Sequence, residues 1–443
     1  LSVYQTLHFN LALFLSGQFV LCALIMILPT SLMGMTFPLV SKLAVGAPAD
    51  LGKKIGAVYA ANTAGAILGA LFGGFVLIPK LGIKMTAMTA AGLNLFVAVV
   101  MILYFFSGNG KKAILVIAGL FIAAAGAEAT VEEGPPPFAT FYAADRMPAL
   151  DTPLSFAFTN RKFVSEQSMG KLLFYAERPE GAVRLYRNPD GLLILQTGGK
   201  IEGTSKADMP NALLLAYLPL AAHREARSCL VIGLGSGVTL HAVKDYLTDV
   251  HLVEINSGVV QAIRTFGPSG LLDGIEIHHD DARNLLFSSE RKYDIIISEP
   301  SYPTESSIAN LFTREYYDIA KKRLNPGGMY SQWLPYYMLK DSDMEMMFKT
   351  FGAAFRYIYL FKVGNGGDRI MLGADTPFAL DGVSMVSNAK ALNRTPYDLP
   401  AVVSRDPVQI AALAASPGSA MNTDDNQLLE FNVVRNLITG VKR

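Results

Sequence analysis

The chain has 443 residues, 51% of them hydrophobic, and its mean hydropathy of +0.32 argues against a purely soluble protein. Lys and Arg number 38 against 37 Asp and Glu, a net charge of +1 with no basic stripe, so nucleic acid is not an expected partner. Two cysteines, Cys22 and Cys229, give no disulfide framework, and six histidines without H-x-x-H or H-E-x-x-H spacing give the expectation of no metal.

The apolar excess lies in the first 127 residues. No side chain is charged from Phe9 to Ser41, from Ile55 to Pro79 or from Met85 to Gly110, and each stretch exceeds the roughly 20 residues that cross a bilayer. Three spans are expected, with the shorter run Ala113 to Ala127 as a fourth, so residues 1–127 read as a transmembrane helical region of three to four spans whose first partner is the lipid bilayer. Pro29 predicts a kink or break in the first span. In the second, Ala61, Gly65, Gly69 and Gly73 line one helical face, a spacing that lets a neighbouring helix approach closely and predicts a central place in a bundle. Asn62, the strongly polar group of that run, reads as helix-to-helix glue. The first apolar run is too long, and lacks the basic flank, for a cleaved signal peptide. The start at Leu1 leaves room for an upstream portion.

Sidedness rests on short-loop charges. Lys42, Lys53 and Lys54 follow the first span, Lys80 and Lys84 the second, Lys111 and Lys112 the third. With three spans the positive-inside rule puts the C-terminal part inside, and with four it puts it outside. A nucleoside ligand of the kind read below is cytosolic, which favours the cytoplasmic side.

Residues 128–154, with Pro135 to Pro137, read as a linker. Residues 155–205 alternate in short runs between Gly, Pro, Asn and Asp, the pattern of a small antiparallel sheet. The run MPNALLLAYLPLAAH reads as an amphipathic helix leading into the part that spans 206–443.

There the chain reads LVIGLGSG, then VEIN, IHHDDARNLL and YDIIISEP: an apolar strand, a glycine turn, a helix, and further strands that end in acids. These are the parts of a nucleoside-binding α/β domain. Gly233, Gly235 and Gly237 let the backbone approach a ligand, Glu254 can hold a ribose diol, and Asp280 or Asp281 can reach an adenine amino group. The turn lacks the last glycine of the dinucleotide fingerprint, so S-adenosylmethionine chemistry fits better than NAD.

Together with GGKIEGTSKAD, a helix ending YLPL, LFTREYYDIAKKRLNPGGMYSQWLP and MNTDDNQLLEF, these motifs resemble the spermidine synthase (polyamine aminopropyltransferase) family. LPTSLMGMTFPL and GAVYAANTAGAILGALFGGF resemble its bacterial membrane-fused branch. The resemblance implies a Rossmann-like S-adenosylmethionine-dependent transferase fold behind an inner-membrane helical region. Its cofactor-substrate would be S-adenosylmethionine or the decarboxylated form, whose propylamine the family moves to putrescine, leaving methylthioadenosine. It places nucleoside roles on Gly233, Gly235, Glu254, Asp281 and Ala282, puts Glu202 where the family has a nucleoside-contacting Gln, and sets Asp208 near its acidic gate.

The departures bear on the acceptor. The family's D-x-x-D-P segment is Glu299-Pro300-Ser301-Tyr302-Pro303 here, so one acid survives as Glu299 and the other is Tyr302, a poor base at neutral pH. Its diamine-binding Tyr-His-Glu stretch is Asn211-Ala212-Leu213, which makes putrescine an unfavoured acceptor. Asp424 and Asp425 read as a solvated turn, Trp333 as a strand aromatic, and Tyr316 and Tyr317 as helix packing. Three classes stay open: a transferase acting on a less charged or larger acceptor, an inactive accessory subunit of a membrane complex (with other subunits or a second copy as partner), and a nucleoside-sensing transporter.

Overall fold

The computed structural model describes residues 11–45, 51–105, 114, 116–119, 170–198, 200–204, 208–303, 306–363, 368–378, 403–404 and 420–439. They form two compact units, one that holds the apolar helices together with Tyr175–Ala182 and one that is α/β.

The helical unit contains α1 (Leu11–Ala44), α2 (Leu51–Phe72) and α3 (Ile78–Phe105). Three stretches, Phe19–Ala44, Leu51–Ile83 and Met85–Tyr104, are long and apolar enough to cross a membrane. Their large side chains, Phe19, Leu24, Phe75 and Phe96 among them, are exposed, which is compatible with insertion into a bilayer. Of the kink or break expected at Pro29, there is no break: α1 runs through Pro29 and Pro38. The Thr30 hydroxyl donates to the Met26 carbonyl at 2.6 Å, a back-bond within its own turn. The punctuation falls later, in a π-helical turn at Gly73–Leu77 and at Gly82, whose φ of +79° interrupts α3. The small-residue stripe also departs from expectation. A Cβ built on Gly65, Gly69 or Gly73 meets nothing within 4 Å, so no described helix packs against it. Of the fourth apolar run only 114 and 116–119 are described, in helical conformation; its remainder, the 128–154 linker and residues 155–169 lie outside the described residues.

A four-stranded sheet comes next, β1 (Lys171–Arg178), β2 (Gly181–Arg187), β3 (Leu193–Thr197) and β4 (Lys200–Thr204), in the order β1-β2-β3-β4. Then come α4 (Met209–Ala222), β5 (Ser228–Ile232), α5 (Val238–Lys244), β6 (Asp249–Val253), α6 (Ser257–Phe266), β7 (Glu276–His278), α7 (Ala282–Ser288) and β8 (Tyr293–Ser298). After α8 (Arg314–Lys322) and β9 (Leu324–Pro335) follow α9 (Asp341–Ala354), β10 (Tyr357–Lys362), β11 (Asp368–Ala374), β12 (Val403–Ser404) and α10 (Leu428–Thr439).

The large sheet has the order β12-β10-β11-β9-β8-β5-β6-β7. Strands β7 to β9 are parallel, and β11, β10 and β12 join antiparallel. Strand β5, SCLVI, is buried on both faces because helices cover both, which is why it reads as an unbroken apolar run. Alternation sends Val231, Leu252 and Ile295 into one core with Leu240 and Ile263, and Leu230, Ile232, Val253 and Ile296 into the other with Tyr317, Tyr330 and Phe351. Each such side chain contributes about 1.5–3 kcal/mol by leaving water. Helix α6 is amphipathic and capped by Asn256, whose Oδ1 accepts from the Gly258 amide at 2.9 Å. Helix α4 is not amphipathic: Ala212, Leu214, Leu215, Ala216, Leu218 and Pro219 are all buried. From β5 the chain steps outward to β6 and β7, then returns to build β8 and β9 on the other side. The crevice at the carboxyl ends of β5 and β8 is therefore where an open α/β sheet receives its ligand.

Candidate active site

Two of the expected glycine positions are required by geometry. Gly233 follows β5 with φ +86°, and a Cβ there would lie 2.6 Å from the Glu299 carbonyl oxygen, so the ends of β5 and β8 meet only over a glycine. Gly237, φ +82°, starts α5 where a Cβ would strike Leu271 at 2.6 Å. Gly235, φ +48°, lies between them. Gly203 of β4 lies against Ser236, with its built Cβ 3.2 Å away, which sets the strand carrying Glu202 on the glycine turn.

Glu254 ends β6 and is buried. Its Oε2 accepts from the Leu234 amide at 2.8 Å and its Oε1 from the Asn256 amide at 2.9 Å. Each oxygen keeps a second lone pair, so the carboxylate is locked in place and can still receive the two hydroxyls of a ribose. Burial raises its pKa above the usual carboxylate value, the two amides counter that, and the charge of Glu202 adds to the rise. Glu202 itself accepts from the Thr197 hydroxyl at 2.7 Å.

The next strand end carries Asp280, Asp281 and Ala282. Asp281 caps α7: its Oδ1 accepts from the amides of Arg283 at 2.8 Å and Asn284 at 3.2 Å, leaving Oδ2 for a ligand. Asp280 is exposed and its Oδ1 accepts from the Asp281 amide at 2.7 Å. Ala282 is buried at the first turn of α7.

Beside these residues stands a cluster of acids. Glu299 follows β8 and is partly buried, with the Thr239 hydroxyl donating to its Oε2 at 2.6 Å. Burial, then the charges of Asp208 and Asp368, push its carboxyl up to about 7, against the pull of the Thr239 bond. Asp208 is fixed by Thr204, whose amide and hydroxyl donate to its Oδ2 at 2.7 and 2.9 Å. Asp368, which opens β11, was not expected from the sequence. The Trp333 indole donates to its Oδ1 at 2.8 Å and the Asn211 amide to its Oδ2 at 2.6 Å. Burial raises its pKa too, offset by those two bonds, with Asp208 raising and Arg369 lowering it.

Several sequence readings change accordingly. Asn211 does not mark a lost polar face; it holds a carboxylate. Trp333 is more than a strand aromatic, since its N–H orients Asp368 and its ring meets Tyr302 edge-on at 5.7 Å. Tyr302 is thus engaged as part of an aromatic wall. Asp424 is not a merely solvated turn residue: it pairs with Arg283, which holds its pKa down, and its amide donates to Glu315 at 3.0 Å. Tyr316 and Tyr317 are fully buried among Tyr330, Phe351 and Phe355, as helix packing predicts.

Residues 212–363 match the profile of the spermine/spermidine synthase domain. The polyamine aminopropyltransferase of Yersinia pestis (strain Pestoides F) is 28% identical over 173 residues, 37% of this chain and 57% of that protein, so the chain spans little more than half the length of this relative. Among solved structures, a spermidine synthase in complex with the transition state analogue AdoDATO is 20% identical with a TM-score of 0.43, over 56% of this chain and 86% of that one. A probable spermidine synthase from Corynebacterium glutamicum ATCC 13032 is 15% identical with a TM-score of 0.45, over 58% and 96%. The domain match and the curated relative make this chain a spermidine synthase-like protein, with its spermine/spermidine synthase domain over residues 212–363.

Proposed function

We propose that the protein is a membrane-anchored aminopropyltransferase that binds decarboxylated S-adenosylmethionine and transfers its aminopropyl group to an amine larger or less charged than putrescine. The observation that carries this reading is Glu299, a partly buried carboxyl held by Thr239 and raised toward neutral pH beside two further acids. A general base works best when its pKa lies near the working pH. Glu254 takes the ribose, the Gly233 to Gly237 turn takes the backbone approach, and Asp281 faces the base. Asp208 and Asp368 attract the cationic acceptor, and the Tyr302–Trp333 pair offers an apolar wall to the rest of it, in place of the second acid of the family. The acceptor nitrogen attacks the methylene carbon bonded to the sulfonium. The C–N bond forms, the C–S bond breaks, and the electron pair returns to sulfur, releasing methylthioadenosine. Glu299 takes the proton that the attacking nitrogen loses.

The membrane reading rests on the three apolar helices, and the cytoplasmic placing of the α/β unit on the supply of S-adenosyl metabolites. The test is calorimetry of the full chain in detergent with S-adenosylmethionine, its decarboxylated form and methylthioadenosine, beside Glu254→Ala, followed by a transfer assay over a panel of amines. Saturable binding of the decarboxylated form that Glu254→Ala removes, with methylthioadenosine released only when an amine is present, is the expected result. Binding by none of the three would sink the proposal and leave an accessory subunit that kept the fold.

A further inference from the structure

We infer that His251, Glu276 and His278 form a binding site for a divalent transition metal of the zinc class, on the outer edge of the large sheet and apart from the acids at the strand ends. The site is made by register, not by a local motif. Strands β6 and β7 are parallel with His251 opposite Glu276 and Val253 opposite His278. Residues two apart on a strand share a face, so the three side chains project together.

Their ligand atoms all lie within 4.8 Å of one another. His251 Nδ1 is 3.2 Å from His278 Nε2 and 3.6 Å from Glu276 Oε2, and Glu276 Oε1 is 3.4 Å from His278 Nε2. A tetrahedral zinc ion with bonds of about 2.0–2.2 Å places its ligands about 3.3–3.5 Å apart. The two histidine nitrogens already stand at such a spacing, and each is met by a different oxygen of Glu276, so the exposed carboxylate turns to present one oxygen to the ion and leaves a fourth position open to water.

Proton counting favours a cation over a purely internal hydrogen-bond cluster. His251 Nε2 lies 3.3 Å from Asp249 Oδ1, and Arg291 holds that carboxylate with both of its oxygens, at 2.6 and 2.8 Å. With its Nε2 proton on the side of Asp249, His251 presents the Nδ1 lone pair to His278 and Glu276. Glu276 is acceptor-only, so at most one proton, on His278 Nε2, is left for three converging acceptors. A carboxylate behind the distal ring nitrogen is also what fixes the tautomer of a metal-bound histidine. Two imidazoles and one carboxylate suit zinc, and do not suit calcium or magnesium, which favour all-oxygen shells. The side chains of Glu276 and His278 are 62% and 25% exposed, which gives the ion a way in, while His251, at 5%, anchors the site.

The site would act as a staple. Strand β7 is a three-residue edge strand, and the His278 carbonyl accepts the Glu254 amide at 3.0 Å. An ion bridging β6 and β7 would fix the strand end that leads to Asp280 and Asp281.

The test uses the full chain in detergent, without a histidine tag and stripped with chelator. Titration with ZnCl2 should give one ion per chain with a Kd tighter than about 10 μM, and Co2+ should give the intense visible bands of a tetrahedral site. Glu276→Gln should weaken zinc at least about tenfold and Asp249→Asn about 10–100-fold, His278→Ala should abolish it, and His241→Ala, on α5, should leave it unchanged. Zinc should also raise the Tm of wild type and not of His278→Ala. No stoichiometric binding by wild type, or equal affinity in wild type and Glu276→Gln, overturns the inference. The Glu276→Gln variant decides even if His278→Ala fails to fold, because Glu276 is mostly exposed.

Discussion

Replacing Glu299 by glutamine should make the protein more stable and nearly inactive, and the stability gain should depend on pH. In the folded chain the Glu299 carboxyl is pushed from its ordinary 4.5 up to about 7. Between those pH values the folded state keeps a proton that the unfolded chain has released, so wild-type stability is full below about pH 4.5 and falls as pH rises toward 7. Each unit of difference corresponds to about 1.4 kcal/mol, so the loss reaches roughly 3 kcal/mol above neutrality. The amide of the Glu299→Gln variant does not ionise and can still accept from Thr239. At about pH 5 the two proteins should therefore melt together. At about pH 8.5 the variant should melt on the order of 5–10 °C higher. Loss of the base should lower aminopropyl transfer about 10²–10⁴-fold, and the wild-type rate should rise with pH through a midpoint near 7. Melting curves of the full chain across this range provide the assay. A Tm difference that does not change with pH would refute the view that the fold disfavours the ionised form of Glu299.

Asp368→Asn should raise KM for the acceptor about 10–100-fold while kcat and nucleoside affinity change little, because it removes an ammonium partner held by Trp333 and Asn211 and leaves Glu299 in place; steady-state kinetics with varied amine reads this. Gly233→Ala should cost about 1–3 kcal/mol, or prevent folding, since it combines a φ of +86° with a Cβ 2.6 Å from the Glu299 carbonyl; thermal melting measures it. Arg283→Ala should destabilise by about 1 kcal/mol, as both partners of its pair with Asp424 are partly solvated, and a double cycle with Asp424→Ala should recover most of that as coupling energy.

What the sequence made legible was local. Unbroken apolar runs between turn signals marked the parallel strands, and the acids at their ends were readable because ligand sites in such sheets sit there. The apolar spans were readable from the absence of charge. Long-range register was not readable. Helix α4 looked half polar because Asn211 and Tyr217 interrupt it and His223 follows it, but Asn211 faces Asp368, and sheet and helices cover nearly every side. The stripe of Gly65, Gly69 and Gly73 promised a partner that the described helices do not supply. The His251, Glu276 and His278 triangle was missed for the same reason, since strand pairing brings His251 beside the other two from a distant stretch of chain and no spacing rule for helices or fingers covers it.

The acceptor half shows most clearly why motif-by-motif comparison understates a site. Judged segment by segment, Tyr302 and Asn211-Ala212-Leu213 are losses, and together they strip the charge that would hold an amine. The pairing of β9 with β11 sets Asp368 opposite Pro335, two positions along from Trp333, and the Trp333 and Asn211 donors hold its carboxylate. Its charge is felt at Glu299 beside that of Asp208. A negative field therefore persists, but it comes from a different strand and stands against aromatic walls instead of a second acid. Such a pocket would still prefer a cation, and it would tolerate more apolar bulk near that cation than a symmetrical pair of aspartates does. The acceptor panel should accordingly favour amines that carry a hydrophobic body. A clear preference for short diamines would show that Asp368 has restored the original specificity rather than altered it.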